Sequence, residues 1–65
     1  MTNIQLVWYQ NDNKHHQFCN VKLELLTDIT KLCLYRQLYT IKDKYMEYLD
    51  GELIPTYVLE KIENG

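Results

Sequence analysis

A chain of 65 residues, 46% of them hydrophobic and 25% charged, has room for one folded domain and no second, and it is too apolar to be a disordered tail. Its net charge of −2 and pI near 5.5 argue against nonspecific nucleic-acid binding, which needs a cationic face to neutralise phosphates. Serine is absent, which removes Ser-His-Asp catalysis.

A domain this short buries only about 60% of the surface its unfolded chain exposes. It therefore calls for a staple, a metal or a partner. Alanine is also absent, whereas Lys, Asn, Ile and Tyr are abundant. An AT-rich coding sequence gives that skew, and with the short length it points to an accessory gene of a virus or mobile element. Charge is unevenly spread: residues 1–42 carry five cations against three acids, and residues 43–65 six acids against two cations. The imbalance favours a protein partner with a basic surface. Met1–Gln10 lacks the basic lead of a signal peptide, and no apolar run approaches the roughly 18 residues of a membrane span. The expectation is a cytoplasmic protein without membrane contact, its Cys19 and Cys33 reduced.

The pattern predicts a β-hairpin over about residues 3–26. Ile4, Leu6 and Trp8 alternate with Gln5, Val7 and Tyr9, while Cys19, Val21, Leu23 and Leu25 alternate with Asn20, Lys22 and Glu24. This period of two marks half-buried strands, and Asn11-Asp12-Asn13 supplies turn residues between them. Two registers keep the faces aligned. A loop at Asp12-Asn13 sets Leu6 opposite Cys19, and a loop at Asp12–His15 sets Leu6 opposite Val21; a shift of two residues preserves both faces.

A long amphipathic helix is predicted over about 28–50, with Thr27 as N-cap, Asp28 in the first turn and Gly51 as the left-handed terminator. At about 100° per residue, Leu34, Leu38, Ile41, Tyr45 and Leu49 fall on one line. Cys33, Arg36, Gln37, Thr40, Asp43, Lys44 and Glu47 lie opposite. Leu32, Tyr35, Tyr39, Met46 and Tyr48 widen the apolar face beyond the roughly 100° that one core contact needs. A hairpin cannot cover it all, so a companion is expected. Pro55 suits the first position of a short C-terminal helix over about 55–63, on which Val58, Leu59 and Ile62 share a face. The alternative is a third strand at Tyr57–Leu59. The fold class expected is α+β: an N-terminal hairpin packed on one long helix, then a short helix (ββαα).

Candidate sites follow from that arrangement. If Ile4, Leu6 and Trp8 face the helix, Val7, Tyr9 and Phe18 form an exposed cluster of the kind found at interfaces. Tyr35, Tyr39 and Tyr48 stand at the helix margins, where a ring packs while its hydroxyl stays wet. These six residues are the expected protein-binding set. His15, His16, Cys19 and Cys33 are zinc-ligand types, but adjacent histidines on a strand point apart and no Cys-x-x-Cys pair exists. No metal, cofactor or catalytic site is expected, and the chain reads as a non-enzyme. The acids Asp43, Glu47, Asp50 and Glu52 read as a solvated face interrupted by Lys44.

The expected function is that of a small binding protein, an inhibitor or modulator of a cellular protein whose identity the residues do not specify. It is expected to form a homodimer, by pairing hairpins or packing helices. The alternatives are a dimeric nucleic-acid-binding regulator that uses the hairpin through Asn11, Asn13, Lys14, His15, His16 and Lys22, and a structural subunit of a larger assembly.

Overall fold

The computed structural model describes residues 1–63; Asn64 and Gly65, which the expected single domain includes, lie outside them. Among the described residues run five strands: β1 (Thr2–Gln10), β2 (Asn13–Val21), β3 (Lys31–Leu34), β4 (Gln37–Leu49) and β5 (Glu52–Lys61). A short 3-10 turn, Leu23–Leu25, leads from β2 towards β3. The strands form one sheet in the order β2-β1-β5-β4-β3. Neighbours are antiparallel except β1 and β5, which pair in parallel over Gln5–Val7 and Thr56–Val58.

The expected α+β, ββαα fold is overturned: no α-helix is present among the described residues. The segment expected as a long helix over 28–50 forms β3, a turn at Tyr35-Arg36 and β4. The segment expected as a short helix over 55–63 belongs mainly to β5, so the strand alternative at Tyr57–Leu59 is the one found. A hairpin does occupy the N-terminus, but in neither expected register. Its turn is Asn11-Asp12, which sets Leu6 opposite Gln17 and Val7 opposite His16. That differs from the first expected register by two residues and so preserves the faces. Leu23 and Leu25, expected in the second strand, lie exposed in the 3-10 turn.

The helix pattern fails for an identifiable reason. Residues 29–50 hold Ile, Thr and Tyr in quantity and no alanine, a composition that favours strands. On β4, Tyr39 and Ile41 share the face that Leu59 occupies on β5. A bulge between Ile41 and Asp43 then inserts Lys42 and reverses the alternation. Beyond it, even-numbered residues (Lys44, Met46, Tyr48) continue that face, while Tyr45, Glu47 and Leu49 take the other. Two strand segments joined out of phase imitate a 3.6-residue period.

The sheet curls into a half-barrel. Its concave face buries Ile4, Leu6, Trp8, Tyr39 and Leu59, with Cys19, Val21, Leu26, Leu32, Leu34, Ile41 and Tyr57 packed around them. The hydroxyl of Tyr35 donates to Oε1 of Gln17 at 2.6 Å, linking the β3–β4 turn to β2, the opposite edge strand. The convex face is not simply solvated. Val7 and Thr56 are each 1% exposed and Gln5 2%, because β1 and β5 run through the middle of the sheet beneath neighbouring side chains. Pro55 fits this position. Counted from the Asp50-Gly51 turn, Pro55 and Met46 are a non-hydrogen-bonded pair. Its missing N–H therefore faces the β1 side, where pairing begins only at Thr56.

Candidate functional site

All three hairpins turn on two residues, and all six turn residues have positive φ: Asn11 52° and Asp12 65°, Tyr35 50° and Arg36 66°, Asp50 48° and Gly51 84°. Such turns match the twist of the flanking strands and normally use Asn, Asp or Gly. The first and third obey that rule. The second places a bulky tyrosine and an arginine in the left-handed region, at a cost of roughly 1–2 kcal/mol per residue. Strain of this kind is concentrated at functional positions.

The strained turn projects beside the open end of the half-barrel. Tyr35 is 75% exposed and Tyr9 is also exposed. Together with Trp8, Asn11, Leu34 and Tyr39 they line a cleft of about 700 Å³. Trp8 and Tyr39 form its buried floor. His15 stacks on Trp8 with ring centroids 5.6 Å apart and planes at 14°. Lys61 and Glu63 bring one charge of each sign. Gln10, Asn11 and Gln37 add polar lining beside the aromatic residues, and Arg36 lies on the adjoining turn.

The structure does not bring the six expected binding residues together. Tyr9 and Tyr35 both line the cleft, and Tyr39, which lines it too, is buried in the core. Val7 is buried on the convex face, so it supports a surface without forming one. Phe18 is exposed on the same face, its ring 5.6 Å from that of His16. Tyr48 is exposed on β4 near the Asp50-Gly51 turn, at the far end of the sheet.

His15 and His16 point to opposite faces and are engaged there, His15 with Trp8 and His16 with Gln5 and Phe18. Burial pushes the Cys19 thiol up from its ordinary range, whereas Cys33 is exposed. No helix among the described residues is long and apolar enough to cross a membrane.

Sequence reasoning missed Arg36, because nothing in Tyr-Arg announces a two-residue turn. It read a turn at Asp50-Gly51 but took it for the end of a helix, although Asp-Gly between strand-forming segments is a strong hairpin mark. Among protein families, curated proteins and solved structures, none matches this chain.

Proposed function

We propose that this chain is a non-enzymatic binding protein that inhibits or modulates a protein partner through the aromatic end of its half-barrel. The observation that carries the reading is the Tyr35-Arg36 turn, which holds two residues in a costly backbone conformation with Tyr35 projecting into solvent. Tyr, Trp and Arg are the residue types that dominate binding energy at protein interfaces. Here Tyr9, Tyr35, Trp8 and Arg36 are gathered at one end of a domain whose rigid strands keep the entropic cost of docking low.

The test compares wild type with a Tyr9→Ala/Tyr35→Ala double variant as immobilised baits in extract of the native host. Binding of each retained protein is then remeasured with purified components. A partner of this surface binds wild type and loses about tenfold or more in affinity to the variant, while the two far-ultraviolet circular dichroism spectra coincide. Equal affinity for wild type and variant refutes the assignment.

A further inference from the structure

The β4–β5 hairpin is longer than the sheet that supports it. β3 pairs with β4 only as far as Thr40, and one further bond joins the Ile41 amide to the Thr30 carbonyl. β1 pairs with β5 only over Thr56–Val58. The segment Asp43–Leu49 of β4 therefore has β5 on one side and, among the described residues, no partner strand on the other, an open edge. Counting outward from the Leu49–Glu52 pair that flanks the turn, Asp43, Tyr45, Glu47 and Leu49 direct their backbone groups to β5. Lys44, Met46 and Tyr48 direct theirs to the open edge. The Lys44 amide agrees with this, since it donates to the Asp43 side chain at 2.8 Å.

Beside its charged Asp43, Lys44 and Glu47, that edge exposes large apolar side chains next to those of β5. Met46 is 55% exposed, Tyr48 69% and Leu53 63%. Cross-strand pairing of Met46 with Pro55 and of Tyr48 with Leu53 puts all four on one face. An unpaired edge beside a continuous apolar patch favours association.

We propose that Asp43–Leu49 pairs antiparallel with the same segment of a second copy of this chain, about a two-fold axis at Met46. The charge pattern selects this register. Centred on Met46, the ladder sets Lys44 opposite Tyr48 of the copy and Asp43 opposite its Leu49. Tyr45 falls opposite Glu47, and Met46 opposite itself. Each charged residue meets an uncharged one, and Lys44 gains an aromatic face. Every outward N–H and C=O of one chain finds its complement in the other, the Lys44 amide exchanging Asp43 for a backbone acceptor. Moving the axis to Tyr45 sets Asp43 against Glu47, and moving it to Glu47 sets that carboxylate against its own copy. Like charges directly opposite destabilise a ladder. The interface joins one short strand from each chain and lies at the small end of specific contacts, so the dimer is weak and in exchange with monomer. This pairing is independent of the aromatic cleft at the opposite end.

Sedimentation equilibrium of the full chain across micromolar to millimolar concentrations reads the stoichiometry, with Met46→Lys and Met46→Glu as exposed, fold-preserving variants. The mass of wild type rises from one chain to two. Each variant alone raises the concentration needed for dimer at least tenfold, and an equimolar mixture of the two restores it, because residue 46 meets residue 46. A wild type that stays at the mass of one chain leaves the edge to a different protein and overturns the proposal. So does a variant that dimerises like wild type, or a mixture that fails to recover.

Discussion

The Gln5 amide donates from Nε2 to Oε2 of Glu47 at 2.6 Å, although β5 lies between the strands that carry the two residues. The same nitrogen donates to Thr56 Oγ1 at 3.0 Å, and the Thr56 hydroxyl donates in turn to the Ile54 carbonyl at 3.1 Å. On the other side, His16 Nδ1 lies 3.2 Å from Gln5 Oε1. An amide oxygen only accepts, so that nitrogen carries the proton. One buried glutamine thus ties four strands together across the convex face, with each of its polar atoms satisfied.

Replacing Gln5 strands its partners. Gln5→Ala is expected to cost about 1–3 kcal/mol, the usual penalty for leaving a buried polar group unpaired. Glu47→Ala costs less, since Glu47 is only half-buried. In a double-mutant cycle followed by urea denaturation, the two effects couple by about 0.5 kcal/mol or more. Simple additivity would show that the 2.6 Å contact carries no energy.

The second turn offers an opposite sign. Arg36→Gly removes the left-handed penalty and is expected to stabilise the fold by about 1 kcal/mol, raising the melting temperature by roughly 4–8 °C for a domain of this size. Gly51→Ala destabilises by about the same amount, and purely through the backbone, because no atom lies within 4 Å of an added Cβ. If the turn exists for partner binding, Arg36→Gly gains stability while losing affinity. Calorimetry and the binding measurement together decide it.

Val7 separates the observed fold from the expected one. A hairpin lying on a helix would leave Val7 in solvent, where Val7→Ala changes little. Buried as it is, Val7→Ala should cost about 2 kcal/mol, from roughly 0.8 kcal/mol per methylene plus the cavity left behind. Tyr9→Ala, two residues along the same strand and exposed, should cost less. Chemical denaturation of both variants checks the order.

The two cysteines should react at different rates. Cys33 is exposed, whereas Cys19 packs at the edge of the core and its thiol is pushed up by burial. A raised thiol pKa leaves less thiolate at neutral pH, and thiolate is the reactive form. Alkylation of the native protein, followed by mass spectrometry, should modify Cys33 first and Cys19 slowly. In denaturant the difference should vanish. Faster modification of Cys19 would contradict its placement.

Much of the N-terminal half was legible from the chain. The alternation through Ile4, Leu6 and Trp8 marks a strand whichever elements surround it, and Asn11-Asp12-Asn13 marks a turn without fixing which two residues make it. The hairpin register was open because slips of two residues leave every side chain on its face. Beyond Thr27 the reading failed for local reasons. The bulge at Lys42 reversed the alternation halfway along β4, and Tyr35-Arg36 carried no turn chemistry. Gly51 by itself fits a helix terminus as well as a hairpin turn, since both need positive φ, and only the preceding Asp50 between strand formers favours the hairpin.

Residue order alone determined which side chains are greasy, where the chain has to turn, and that a domain so small leaves apolar surface uncovered. Only the tertiary structure decided which faces those side chains share. The parallel pairing of β1 with β5 joins segments about fifty residues apart, and no local propensity encodes a contact of that separation. That pairing sets β1 and β5 in the middle of the sheet, where Val7 is buried, while Met46 and Tyr48 lie on an edge that β3 is too short to reach.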